Sequence, residues 1–499
     1  MPDQAETQAG HDVIAPPAAP RPASPPARQG APAAVHAAIT ERLPTYIEWL
    51  RTAIRQPSVS SQNRGVRECA ALLVRMMGEA GIEGEVAETD GLPAVLGRAP
   101  AGPAAAAAAP TLLIYNHYDV QPEDPVAEWS HPPFAAEIVM DRTGSSRAIA
   151  GSDGRIVGRG ATDAKGNLIC HLAAADAWRR ATGGLPVNLK LIFDGEEERA
   201  SPSLPAFVGR RAADLSCDYA LSFDGGFNAS NRPSVTLGSS GLLFVELVAE
   251  GSTHDLHSAR ARLVKAPAWR LIWALATLKG PDERIAIPGF YDDALAPDAA
   301  ERAMLAEAGW DDAAQKKALG VDEFLLGVSG PAALERLLFQ PTCNVNGFGT
   351  GWVGEGTKTV LPRRAVARLD FRLVYRQDPQ DLLKKLRAHL DAQGFSDVRI
   401  ASSSFIEPSR APAGSPIVQA VLDAARETYG VEPSITPRSD ASGRQGCWLG
   451  ERLHAAGVST GVGPPDWHGH APNEFMTLSH FEQGIRYAAN IWGRLGQGK

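Results

Sequence analysis

The sequence predicts a mixed, mainly parallel α/β sheet between helices, interrupted by an inserted α+β unit of ferredoxin-like type. Three observations carry this reading. Three apolar, β-rich segments end on polar residues, TLLIYNHYD (111 to 119), VNLKLIFDGEEE (187 to 198) and DYALSFDGG (218 to 226), with helical patterns between them. From about residue 233 the order changes to strand, helix, strand, strand, helix, strand. After Ser415 the first style resumes, so one domain is split in sequence by another.

Taken in order, residues 1 to about 35 form an Ala/Pro-rich tail that buries too little apolar surface to offset its ordering entropy. A helical pattern starts near Val35 and stops at Pro57. The tract APAGPAAAAAAP (99 to 110) reads as a surface loop because prolines flank its alanines. The glycine-flanked turn GRGATDAKGN opens a helix through about Trp178. In the inserted unit, strands are expected at 242 to 249, 343 to 348, 366 to 374 and 397 to 404, helices at 267 to 279 and 379 to 392, and a helical insertion at about 290 to 337. A helix over 477 to 495 closes the chain. The expected division is a tail (1–35), a first catalytic segment (36–232), the inserted unit (233–408) and a second catalytic segment (409–499).

With 499 residues, 44% hydrophobic, a sizeable core needs no staples. The formal net charge of −8 and the lack of a Lys/Arg block argue against nucleic acid as a partner. Five scattered cysteines without a C-x-x-C pair suggest free thiols in a reducing compartment. With neither a signal peptide nor an apolar run of membrane length, the expectation is a cytoplasmic protein that does not engage a membrane.

In sheets of this type, ligands bind beyond the carboxyl ends of the strands, where the polar residues fall. His117 and Asp119 sit two apart and share a strand face, so Asp119 can accept the imidazole N–H opposite a metal. Taken alone, such a pair is a weak signal, more often a structural histidine with its acceptor than a metal site. Asp163 in its turn could be a helix cap, Glu196–Glu198 a solvated face, Asp224 a turn residue, and His470 a polar loop residue. Together they place His, Asp, Glu, Asp and His from five loops on one crevice. Oxygen and nitrogen donors without thiolates suit two Zn²⁺ ions, or Mn²⁺ or Co²⁺, with one carboxylate bridging. Such a pair polarises a carbonyl and acidifies water, which is hydrolytic chemistry. Glu197 is left over as a general base.

The motifs HYDVQP (117 to 122), GRGATDAKG (158 to 166), DGEEER (194 to 199), FDGG (223 to 226), DLHSA (255 to 259), GTKTVLP (356 to 362), FRLV (371 to 374) and HAPNE (470 to 474) resemble, in order, those of the dinuclear-zinc aminoacylase/carboxypeptidase family of peptidases. Within that family the chain looks most like the carnosinase-like cytosolic dipeptidases. The resemblance implies that Asp163 bridges two metals, His117 and Asp224 complete one site, and Glu198 and His470 complete the other. It implies that Glu197 is the general base, that Asp119 orients His117, and that His257 reaches the partner subunit's active site from a lid-like inserted domain. A homodimer through that domain follows. Arg372 and Thr359, with Ser442 nearby, match positions that hold a substrate carboxylate. The expected substrate is a dipeptide or short peptide, with an N-acyl or N-carbamoyl amino acid as the alternative. Three departures stand out: ARARLVKAP follows DLHS where relatives usually carry glycines, Arg199-Ala200 replaces a Ser/Gly step, and Ala164 replaces a frequent Asp.

Overall fold

The computed structural model describes residues 29–103, 105, 109–140, 154–440 and 445–497. A helix over Ala33–Arg55 starts two residues before the expected Val35 and buries Val35, Ile39, Tyr46, Leu50 and Ile54. Extended backbone at Gln56, just before Pro57, ends it.

Eight strands form one sheet, in the order Glu83–Ala87, Ala94–Ala99, Asn188–Asp194, Thr111–His117, Tyr219–Phe223, Ala456–Thr460, Ser234–Thr236 and Ser434–Thr436. The middle is parallel: Thr111–His117 pairs with Asn188–Asp194 on one side and Tyr219–Phe223 on the other, and Ala456–Thr460 extends the parallel set. Both faces are covered, as near-continuous apolar strands require. Side chains alternate along the strand. Leu112 and Ile114 join the larger core, with the helices Ala33–Arg55, Lys165–Thr182, Pro416–Tyr429 and Leu478–Gly496. Leu113 and Tyr115 join the opposite core with Leu204, Phe207, Trp448 and Leu449.

Four further strands, Thr342–Thr350, Arg364–Leu373, Gly241–Glu250 and Arg399–Ile406, form a second, wholly antiparallel sheet in that spatial order. The helices Pro267–Ala276 and Pro379–Ala392 pack on it through Leu271, Ala274, Leu382, Leu386 and Leu390. Helices at Ala299–Glu307, Asp312–Leu319 and Gly330–Phe339 supply the helical interruption, and Leu305, Leu334, Leu338 and Phe339 give it a small core. The chain passes between the two sheets at adjacent points, Ser239 pairing with Ser409. No helix among the described residues is long and apolar enough to cross a membrane.

Candidate metal centre

Parallel register brings the strand ends level: His117 lies opposite Asp194, and the neighbouring strand ends at Phe223, one residue before Asp224. The Asp224 N–H donates to the Thr460 carbonyl at 2.6 Å, tying this end to the next strand. The following glycines are required by a close approach, because a Cβ on Gly226 would lie 2.1 Å from the Gly463 carbonyl oxygen. His117 Nε2 stands 3.0 Å from Asp163 Oδ1, and His470 Nε2 stands 3.0 Å from Asp163 Oδ2 and 3.3 Å from Glu198 Oε2. Asp163 is therefore shared by two triads, His117–Asp163–Asp224 and Asp163–Glu198–His470, within each of which the donor atoms lie inside 4.8 Å of one another.

The surroundings hold these groups through backbone N–H donors. Glu474, fully buried, accepts the N–H groups of Gly160, Thr162 and Asp163 at 3.0 Å each and the Arg159 Nη1 at 2.9 Å. Asp119 accepts the Glu197 and Glu198 N–H groups at 3.1 Å each. Gln121 donates to Glu198 Oε2 at 2.8 Å. The first glutamate of the acidic run, Glu196, faces away and accepts the N–H groups of Leu92 and Ser203, so it is neither a ligand nor a solvated charge. Asp119 differs in detail from the expectation: His117 Nδ1 is in hydrogen-bond geometry with the Asp119 backbone carbonyl at 3.1 Å, with the carboxylate at 3.4 Å. The carboxylate is turned to the Glu197–Glu198 backbone.

Burial and like charge act together on the carboxylates of this site. Burial pushes the Glu197 carboxyl pKa up; His117 opposes this, and Asp224, Glu198 and Asp163 reinforce it. Glu198 is raised by burial and by Asp163. Burial opposes a charged His117, yet the adjacent carboxylates of Asp119, Asp163 and Glu197 hold its pKa well above the ordinary histidine value. The hydrogen bond to Asp163 likewise raises His470, to about 9. Protons on two histidines compensate crowded carboxylates here, a task a divalent cation performs better. The donor set fits such ions. His117 Nε2 is buried and, although close to Asp163, lies off any hydrogen-bond line, as a nitrogen aimed at a metal does. Three carboxylates and two imidazoles suit Zn²⁺, Mn²⁺ or Co²⁺.

The remaining candidates lie elsewhere. His257 is exposed and its Nδ1 accepts the Ala259 N–H at 3.2 Å. Thr359 is beside it, its carbonyl accepting the Ser258 N–H. Arg372 stands in the antiparallel sheet opposite Leu242 and Thr342, its Nε 3.6 Å from Asp370 Oδ2. None of the three belongs to either triad. Ser442 falls outside the described residues. The roles of Glu474, Arg159, Gln121 and Asn167, whose side chain bridges Thr162 and Val462, were not foreseen. The only signal was their presence within the quoted motifs or immediately beside them.

A profile described as "Peptidase family M20/M25/M40" matches residues 113–494. Among curated proteins, the Beta-Ala-His dipeptidase of Rattus norvegicus is 26% identical over 334 residues, 65% of this chain and 65% of that protein. The Cys-Gly metallodipeptidase dug1 of Schizosaccharomyces pombe is 29% identical over 283 residues, 56% and 57%. The match thus spans less than two thirds of these relatives' length. Among solved structures, the M20 family metallo-carboxypeptidase Sso-CP2 of Sulfolobus solfataricus is 34% identical, with a TM-score of 0.76 over 92% of this chain and 99% of that one. The dipeptidase Dug1p of Saccharomyces cerevisiae, at 23% identity and TM-score 0.67 over 93% and 98%, shares the fold.

Proposed function

Since the chain belongs to peptidase family M20/M25/M40, we propose that it is a metal-dependent dipeptidase, hydrolysing the amide bond of dipeptides or short peptides. The observation that carries the reading is the pair of triads sharing Asp163, with the Glu197 carboxylate beside them and in neither. His117, Asp163 and Asp224 would hold one divalent cation, and Asp163, Glu198 and His470 the other. When bound, the two cations supply Lewis acidity toward the scissile carbonyl and lower the pKa of water.

Glu197 takes a proton from the attacking water and delivers it to the leaving nitrogen. Its main chain is fixed by Asp119, so its carboxylate position is set by a group outside the ligand set. Asp119 also fixes the His117 tautomer, its backbone carbonyl accepting the Nδ1–H so that Nε2 is the ligating nitrogen. Thr359 and Arg372 hold the substrate's C-terminal carboxylate. His257 stabilises the carbonyl oxygen as charge develops on it, acting from the partner subunit of a homodimer. The exposure of His257 and its local hydrogen bond support a role away from its own chain's triads. An unpartnered apolar face on the same unit supports a dimer. Trp269, Ile272 and Trp273 are exposed on one helix, and Val345 and Phe348 on the edge strand of the antiparallel sheet. The five free cysteines support a reducing compartment, and hence a cytoplasmic enzyme.

Glu197→Gln tests the assignment: metal content should stay as in the wild type while turnover of dipeptides falls by at least about 100-fold. Wild-type-like turnover rejects the base. Exclusive turnover of N-acetyl or N-carbamoyl amino acids by the wild type rejects the dipeptidase.

A further inference from the structure

The turn after His257 concentrates positive charge on an otherwise acidic protein. It is a 3-10 helix over Ser258–Arg262, with the His257 side chain capping the Ala259 N–H. His257 enters this turn with extended backbone as its N-cap, and Arg260 follows three residues on within the turn, with Arg262 two residues further. Antiparallel pairing of Leu256 with Leu361 and of His257 with Val360 lays a second segment alongside and brings in Lys358 and Arg363. All four cationic side chains are exposed, and none is ion-paired among the described residues. Two acidic residues lie in the same segments, Asp255, whose carboxylate accepts the Arg363 backbone N–H at 2.9 Å, and Glu355. Elsewhere exposed arginines meet carboxylates, as in Arg67–Glu88, Arg210–Asp90 and Arg426–Glu432.

We propose that Arg260, with Arg262 beside it, recognises a side-chain carboxylate of the substrate, so that the preferred substrates are dipeptides containing Asp or Glu. This rests on the reading of His257 as the group that faces the scissile carbonyl. A 3-10 rise of about 2.0 Å per residue puts the Arg260 backbone about 6 Å from that of His257. A dipeptide spans about 7 Å, so the guanidinium faces the substrate's flanking side chain when the imidazole faces its carbonyl. A guanidinium matches a carboxylate with two parallel N–H donors and offers nothing comparable to the isosteric amide. A contact of this kind discriminates the two by roughly tenfold to a hundredfold.

The test is kcat/KM of the metal-loaded enzyme on Ala-Glu against Ala-Gln and Glu-Ala against Gln-Ala, for the wild type, Arg260→Gln, Arg262→Gln and the distant control Lys317→Gln. The wild type should prefer at least one acidic partner by tenfold or more, and Arg260→Gln should collapse that ratio toward unity, mainly through KM, while Lys317→Gln keeps it. Equal rates on acid and amide, or a ratio that survives Arg260→Gln, overturns the proposal. So does loss of subunit association or of heparin retention in Arg260→Gln with the ratio intact, which assigns the patch to an interface or a polyanion. Cleavage of neutral dipeptides without acid preference refutes only this inference. Absence of any dipeptide cleavage refutes the dipeptidase reading beneath it.

Discussion

Glu474→Gln is the most informative single change, because it alters no ligand and yet reaches the centre of the site. The wild-type carboxylate serves four donors: Oε1 takes the Thr162 and Asp163 N–H groups, and Oε2 takes the Gly160 N–H and the Arg159 guanidinium. A glutamine of the same shape keeps one oxygen. Its amide nitrogen then faces two donors, whichever way it turns. An orphaned buried donor costs about 1–3 kcal/mol, so two cost about 2–6 kcal/mol, with the buried Arg159 charge toward the upper end. Part of that cost is removed if the turn rearranges, but the turn carries Asp163, which both triads share. The expected outcome is therefore a loss of about 4 kcal/mol in urea unfolding of metal-free protein, together with a 10- to 100-fold weaker metal affinity in competition with a chromogenic chelator. A variant with the wild-type unfolding midpoint and wild-type metal affinity would refute the view that Glu474 sets the position of Asp163.

Three further outcomes follow from the same structure. His171 is fully buried between Phe223 and Trp492, and burial lowers its pKa from 6.5 to about 3. The unfolded chain therefore binds a proton across that window that the folded chain does not. Stability rises with pH through it and is complete above pH 6.5, with roughly 5 kcal/mol lost by pH 3. His171→Phe should flatten the acid limb of a stability-against-pH curve, and an unchanged limb would contradict the assignment. Removing metal with a chelator should abolish turnover and lower the melting temperature; free metal at about 1,000 times Kd adds about 4 kcal/mol to stability, so an unshifted melting curve speaks against these ligands. Trp273→Glu, on the exposed helix face, should shift sedimentation from dimer to monomer and leave metal content intact, whereas an unchanged sedimentation coefficient removes that face from the interface.

What could be read from the sequence depended on whether the signal was local. Strand ends declare themselves, because TLLIYNHYD turns from apolar to polar within two residues, and the parallel register that aligns His117 with Asp194 needs nothing beyond sheet chemistry. The same holds for the glycines after Asp224, where backbone approaches backbone. The orientation of Asp119 could not be read. Spacing places it on the face of His117, but two N–H groups 78 and 79 residues away compete for its oxygens, and they win. His257, Thr359 and Arg372 show the other limit, since the contacts they make to Ala259, Ser258 and Asp370 lie within their own inserted unit and place none of them in either triad.

The acidic residues make the physical point most sharply. In sequence, Glu196, Glu197 and Glu198 are one run, and a run of like charge reads as a solvated face. In the fold they separate by what they face. Glu196 meets the backbone N–H groups of Leu92 and Ser203 and becomes scaffold. Glu198 meets His470 and Gln121 and becomes a donor in a triad. Glu197 is buried and faces the like charges of Asp224, Glu198 and Asp163 with His117 in opposition, so its proton affinity rises. Glu474 and Asp119 repeat the first pattern at longer range, Glu474 accepting the Asp163 N–H and Asp119 the Glu197 and Glu198 N–H groups. A carboxylate whose oxygens are occupied by fixed N–H donors has less capacity left for a cation, and one crowded by like charges is relieved by a proton or a cation. Neutralising Glu474 or Asp119, which touch neither triad's donor atoms directly, should therefore weaken metal binding almost as surely as removing a proposed ligand, by a route that unfolding of the metal-free protein also detects.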